Sequence, residues 1–135
     1  MANAIYGKAR EKFLNADIDW SVDTIKVALV DTASYTVAID TDEFYSTISA
    51  AVVGTPITLS GKTATLGVAD ANNISFTGLS GAPSIEAIAI FKDTGVAGTS
   101  PLITYIDTAT GLPVSAGATQ VDITWDDGPN KIFKL

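Results

Sequence analysis

Two neighbouring runs rich in isoleucine constrain the fold of this chain more than any other feature. Residues 84–92 read Ser-Ile-Glu-Ala-Ile-Ala-Ile-Phe-Lys, and residues 101–107 read Pro-Leu-Ile-Thr-Tyr-Ile-Asp. Both runs are short, β-branched and bounded by turn residues, a pattern that favours strands over helices. The connector over 93–100 contains two glycines, which is typical of a long hairpin loop. We therefore predict an antiparallel pair at the centre of a sheet.

The first of these runs presents apolar residues on both faces of its strand. Ile85, Ala87, Ala89 and Phe91 alternate with Glu86, Ile88, Ile90 and Lys92. Charges occur only near the two ends of the run. Both faces of its middle are therefore predicted to be covered by other parts of the protein.

Six further strands are predicted, at residues 24–30, 55–59, 63–68, 74–77, 120–125 and 131–135. Pro56 indicates a sheet edge, because proline has no N–H for a central ladder. The C-terminal strand must pair with a neighbour, since an unpaired one would fray. Short strands separated by turns indicate a mainly β fold in a single domain over 1–135. We expect an antiparallel two-sheet β-sandwich of jelly-roll-like form.

Two short helices complete the predicted fold. One covers residues 3–15, within an N-terminal helical arm at 1–15, and has Asn3 as its expected cap. The other covers residues 41–51. Apolar residues repeat at helical spacing in both segments: Ile5, Ala9 and Phe13 in the first, with Tyr6 alongside, and Phe44 and Ile48 in the second.

The composition argues against several classes of function. The chain has no cysteine and no histidine, so it lacks the commonest general base and the commonest transition-metal ligands. Its net charge of −7 is opposite in sign to that of a typical nucleic-acid-binding protein. It contains no run of about 20 apolar residues that would span a membrane. We therefore predict a protein that is not an enzyme, holds no cofactor or metal, and binds neither nucleic acid nor membrane.

A few groups of residues have the side-chain types that catalysis or ion binding would need. Ser60 and Lys62 are the only near pair that resembles a nucleophile and its base, and they read as a turn. The paired acids, Asp17 with Asp19 and Asp126 with Asp127, read as solvated loop residues rather than as a glycosidase pair. An ion site at Asp17, Asp19 and Asp23 stays open as a minor alternative, although the distal Glu of a calcium loop is missing. Trp20 and Trp125 are expected in the core.

Several stretches resemble those of a known class of proteins: residues 2–14, 18–20, 25–31, 103–113 and 125–135. With these stretches the chain resembles small structural proteins of tailed bacteriophages, particularly head decoration or cement proteins. The resemblance implies a β-sandwich that binds the outside of a capsid. It implies that the major capsid protein and copies of the chain itself, as a dimer or trimer, are the partners. It also implies synthesis in the host bacterial cytoplasm and a final location on the virion surface.

We hypothesise that the N-terminal helix and the C-terminal strand contact these partners, because both are terminal and are expected to expose apolar side chains. The expected contact residues are Ile5, Tyr6, Arg10, Phe13, Ile132, Phe133 and Leu135. Residues 1–16 also carry three basic residues against one acid, which suits either an acidic partner or a solvated helix face. Two alternatives remain: a phage tail or fibre component with a carbohydrate- or host-binding role, and a host-encoded adhesion or assembly domain.

Overall fold

A computed structural model describes residues 3–135 of the chain. In chain order, its elements are β1 (Ala4–Ile5), α1 (Gly7–Leu14), β2 (Ile25–Val30), β3 (Val52–Thr58), β4 (Val68–Ala69), β5 (Ile74–Phe76), β6 (Ala87–Lys92), β7 (Leu102–Ile106), β8 (Val121–Ile123) and β9 (Phe133–Lys134). Every strand pair is antiparallel. The prediction of a mainly β, antiparallel chain with a short N-terminal helix is confirmed.

The two isoleucine-rich runs form the centre of a five-stranded sheet in the order β1-β7-β6-β2-β3. Strand β6 lies between β7 and β2, so Ala89 faces Tyr105 on one side and Ala28 on the other. Ala87 to Phe91 are all buried, which confirms that both faces of this strand are covered. Strand β3, which contains Pro56, lies at one edge of the sheet, as predicted.

The remaining strands form two ribbons, β4 with β9 and β5 with β8. The C-terminal strand is therefore paired, as expected. The strand predicted over 63–68 is wrong for most of its length, because Thr65–Gly67 form a 3-10 turn and β4 begins at Val68. Leu66 and Gly67 both have positive φ, so the backbone there leaves the extended region that a strand requires.

The predicted helix over 3–15 is shorter than expected. Residues Ala4–Ile5 form β1, which pairs with β7, and α1 begins only at Gly7. Asn3 is not the helix cap: its side-chain amide donates to the Thr108 hydroxyl, and its oxygen accepts the N–H of Asp107. Pairing between β1 and β7 satisfies backbone N–H and C=O groups of β7, which would otherwise be the edge strand of the sheet. The stabilisation from this pairing outweighs the local helical pattern.

The second predicted helix, over 41–51, is also wrong. That segment contains two 3-10 turns, Tyr45–Thr47 and Ser49–Ala51. Phe44 is extended and bridges to Pro101, and the N–H of Tyr45 donates to the carbonyl of Ser100. These contacts with the β6–β7 loop break the segment into short turns before β3 begins.

Candidate interaction surface

The structure buries most of the side chains that were expected at partner contacts. Arg10 and Leu135 are exposed, and Phe13 is half-buried. The expected exposure is wrong for four of the seven residues: Ile5, Tyr6, Ile132 and Phe133. These side chains fill the core where β1, the start of α1 and β9 meet the rest of the chain. Burial explains why the two terminal segments carry so many apolar residues, and their partner contacts stay a prediction.

Aromatic packing holds the two terminal segments side by side. The ring of Phe133 in β9 lies 6.2 Å from that of Phe13 in α1, and 5.3 Å from that of Trp20 in an edge-to-face contact. The Trp20 indole N–H donates to the carbonyl of Thr63. The two segments that were each predicted to contact partners are thus neighbours, because a shared aromatic cluster fixes one against the other.

Two clefts flank this cluster, and Phe133 lines both of them. We call the cleft of about 360 Å³ that is lined by Phe13, Trp20, Gly67, Phe133 and Leu135 the apolar groove. The cleft of about 630 Å³ that is lined by Ile5, Arg10, Lys131, Ile132, Phe133 and Lys134 is the basic groove. Six of the seven predicted contact residues line one of the two grooves. Tyr6, which lies beneath them, is the exception.

Most of the exposed large apolar residues either line the apolar groove or lie next in sequence to a residue that lines it. Within residues 3–135, five large apolar residues are exposed, and four of them belong to this region: Leu14, Val22, Leu66 and Leu135. Leu135 lines the groove, and the other three are adjacent in sequence to the lining residues Phe13, Ser21 and Gly67. Leu14 is 88% exposed and Leu66 is 90% exposed. An apolar surface concentrated in this way is typical of a binding face.

Backbone strain is found at the same two grooves. Among the described residues, three that are not glycine have positive φ: Ala16 at 62°, Leu66 at 55° and Lys131 at 46°. Ala16 lines the apolar groove, Leu66 precedes a lining residue of it, and Lys131 lines the basic groove. Each such residue costs about 1 kcal/mol relative to glycine. Strain of this kind concentrates at functional surfaces, and Leu66 combines it with an exposed apolar side chain.

Ala16 ends α1 in a way that normally uses glycine. Its N–H donates to the carbonyl of Phe13, and the N–H of Asp17 donates to that of Lys12. These two bonds are the Schellman arrangement, in which the residue after the cap adopts the left-handed conformation. The turn directs the chain from α1 along the apolar groove towards Trp20.

The basic side chains of the N-terminal segment are mostly committed within the molecule. Lys8 pairs with Glu11 at 3.1 Å, and Lys12 pairs with Glu43 at 3.0 Å. Arg10, the third of them, is exposed and extends into the basic groove. Of the three basic residues within 1–16, Arg10 is therefore the one without an ion pair in the described structure.

A buried hydroxyl chain under α1 escaped the sequence analysis. The hydroxyl of Tyr35 donates to the Asp42 carboxylate at 2.5 Å, and it accepts the proton of the Tyr6 hydroxyl at 2.9 Å. Asp42 also accepts the N–H of Ala38 at 2.8 Å. Burial is the main factor that raises the pKa of both tyrosines, and hydrogen bonding to Asp42 adds to it for Tyr35. The chain ties the loop after β2 to the start of α1.

Replacing Tyr35 with phenylalanine is expected to lower the free energy of unfolding by about 2 kcal/mol, because Tyr6 loses its buried acceptor. The raised pKa values also set a pH dependence. In the unfolded chain the tyrosines ionise near 10.0, whereas in the folded protein they stay protonated. The contribution of the two tyrosines to the free energy of unfolding is thus complete below pH 10 and is lost as the pH rises above 10. Urea unfolding at neutral pH and at about pH 11 measures both effects. Equal stability of Tyr35→Phe and the parent at both pH values would contradict this role.

Ser60 and Lys62, the nearest match to a nucleophile and its base, form hydrogen bonds with different residues. The Ser60 hydroxyl accepts a hydrogen bond from the Asn72 amide, whereas the Lys62 ammonium donates to the carbonyl of Asp23. Neither side chain is placed to act on the other. Trp125 is buried as expected, and its indole N–H donates to the carbonyl of Asn72.

The acids considered for an ion site are used by the loop before β2. One oxygen of Asp19 accepts the N–H groups of Ser21 and Val22, and Asp23 accepts the N–H of Asp19 at 2.7 Å. Lys92 pairs with Asp23 at 3.1 Å and donates to the carbonyl of Asp17. Burial opposes ionisation of Asp23, but the Asp19 N–H and Lys92 outweigh it, so its pKa is lowered. These carboxylates stabilise a turn, and within residues 3–135 no group of three acids is arranged to hold a metal.

No helix within residues 3–135 is long and apolar enough to cross a membrane. No known family model matches the sequence, and no curated protein matches it either.

Proposed function

We propose that this chain is a non-enzymatic virion structural protein that binds the outside of a bacteriophage capsid and reinforces it as a decoration subunit. The partners in this proposal are the major capsid protein and further copies of the chain, as a dimer or trimer. The five-stranded sheet and the two ribbons would be the layers of the expected jelly-roll-like sandwich. The resemblance of the sequence motivates the proposal.

The observation that carries it is the exposed apolar surface at the apolar groove. Leu14, Leu66 and Leu135 present large apolar side chains to water, and Leu66 does so from a left-handed backbone. Burying one leucine side chain contributes about 2 kcal/mol. A subunit repeated over a shell gains further affinity because many such contacts act together. A covered apolar groove would therefore account for both the exposure and the strain.

Deleting residues 1–14 would not test this proposal cleanly, because it would remove β1 and the fully buried Tyr6. Surface substitutions are better suited. In the variant Leu14→Ser, Leu66→Asn, Leu135→Ser, asparagine relieves strain at residue 66 because it tolerates positive φ. We expect this variant to keep its thermal stability and to bind shells at least about tenfold more weakly, since three apolar contacts are lost.

The measurement is co-sedimentation with purified shells of the phage that encodes the chain, from which the native copies have been stripped. Val96→Ser is the matched control, because Val96 is exposed and lies outside the apolar groove. The proposal is overturned if the parent chain does not bind shells, or if the triple variant binds as well as the parent. Binding to host polysaccharide without binding to shells would favour the tail or fibre role instead.

A further inference from the structure

The basic groove collects the three cations of this acidic protein that are least engaged by carboxylates or carbonyls. The chain has eight lysine and arginine residues. Within residues 3–135, five of them are held at short range by a carboxylate or carbonyl: Lys8, Lys12, Lys26, Lys62 and Lys92. The other three are Arg10, Lys131 and Lys134, and all three line the basic groove. Lys131 comes no closer than 3.8 Å to its nearest carboxylate, that of the fully exposed Asp127.

The setting makes this concentration of positive charge unusual. The whole chain has a net charge of −7, so most of its surface repels anions. In the basic groove, three cations face one lining carboxylate, that of Asp126. Lys131 is held there by a left-handed backbone at a φ of 46°, which costs about 1 kcal/mol. The groove is therefore the part of the described surface best suited to attract negative charge.

The walls of the basic groove include two short strands that each have one edge without a strand partner in the described structure. β1 is an edge strand of the five-stranded sheet, and it contributes Ala4 and Ile5 to the lining. β9 is paired only with β4 in the described structure, and it contributes Phe133 and Lys134. Edge strands present free N–H and C=O groups, which extended peptides commonly use for binding.

We infer that the basic groove binds an extended acidic segment of a partner protein, whose carboxylates pair with Arg10, Lys131 and Lys134. The backbone of the segment adds to the edge of β1, and its apolar side chains pack against Ile106 and Phe133, which also line the groove. We assign the segment to a different protein, and binding of a second copy of this chain is an outcome of the test. The inference depends on the proposed function only for the identity of the partner.

The test uses a synthetic peptide probe and the full-length chain. The probe is a fluorescent octapeptide of alternating valine and aspartate, which offers carboxylates along one face of an extended strand. We expect it to bind, with an affinity that falls as salt is added, because screening weakens exposed ion pairs. The variant Arg10→Gln, Lys131→Gln, Lys134→Gln should bind it about tenfold more weakly, since each exposed pair contributes less than about 1 kcal/mol. Fluorescence anisotropy measures both effects.

The matched control, Lys8→Gln, Lys12→Gln, Lys26→Gln, removes the same net charge outside the groove and should bind the probe like the parent chain. A probe of alternating valine and lysine should not bind. The inference is overturned if the groove and control variants lose equal affinity, or if the acidic probe does not bind. It is also overturned if sedimentation shows that the groove variant abolishes self-association, because the occupant would then be a second copy.

These outcomes can be separated from those of the proposed function. If the parent chain binds the acidic probe but not the shells, the groove is a peptide site and the capsid role fails. If the groove variant binds shells as well as the parent, the capsid role stands and the groove is not used for it. The apolar-groove variant described above should still bind the probe, since it retains all three cations.

Discussion

Ile90→Ala is expected to lower the free energy of unfolding by about 4 kcal/mol, the largest effect of any single substitution considered for this chain. Ile90 lies in the middle of β6, opposite Val27 in β2 and Thr104 in β7, and its side chain is fully buried. A strand with neighbours on both edges cannot move to fill the space left by the lost atoms. The cost therefore includes a cavity as well as the lost burial of apolar surface.

Urea unfolding of the variant and the parent measures this loss. Val22→Ala is the control, because Val22 is 79% exposed and its truncation should change stability by less than about 0.5 kcal/mol. A loss of under about 1 kcal/mol for Ile90→Ala would show that β6 is not the packed centre of the sheet.

Gly111→Ala is expected to have the second largest effect, a loss of at least about 3 kcal/mol. Gly111 has a φ of 112°, and a Cβ at this position would overlap the carbonyl oxygen of Asp122. A backbone atom cannot swing aside as a flexible side chain can. Alanine would therefore force the loop before Pro113 away from the β5–β8 ribbon, in addition to its cost at positive φ.

Gly117→Ala separates these two contributions. Gly117 also has a positive φ, of 90°, but a Cβ there would meet nothing within 4 Å. Its substitution should cost only about 1 kcal/mol, the conformational part alone. Thermal unfolding of both variants gives the comparison. Equal losses would mean that the contact between Gly111 and Asp122 adds nothing to the conformational cost.

Local pattern was sufficient to predict the centre of the fold. Ile88 and Ile90 are apolar on one face of their strand, and Ala87 and Ala89 on the other, so the strand had to be covered on both sides. Pro56 indicated an edge strand because of its missing N–H, and the structure has it at the edge. These predictions held because they depend on residue chemistry that no distant contact can change.

The two helix predictions failed where long-range contacts compete with local preference. Ile5 fits the helical spacing with Ala9 and Phe13. It nevertheless lies in β1, because β1 pairs with β7, a strand about a hundred residues later in the chain. Over 41–51, contacts of Phe44 and Tyr45 with the β6–β7 loop likewise replaced a helix by short turns. Such pairings are invisible in a local window.

The candidate surface was predicted only in outline. Each terminal segment was expected to contact partners, which stays a prediction, and the side chains expected to be exposed there are largely buried. The exposed residues that replace them, Leu14 and Leu66, carry no distinguishing pattern in the sequence. The hydroxyl chain of Tyr6 and Tyr35 also escaped notice, because its members are 29 residues apart.

By itself, the sequence determined a mainly β, antiparallel fold with a strand covered on both faces at its centre, and an acidic chain without histidine or cysteine. Only the tertiary structure decided that Arg10, Lys131 and Lys134 share one groove and that Phe13, Trp20, Phe133 and Leu135 share another. The physical reason is that strand identity follows from side-chain shape and alternation along the chain. A surface, in contrast, is assembled from residues far apart in sequence. It consists of those charged and apolar residues that are neither engaged in ion pairs nor buried in the core.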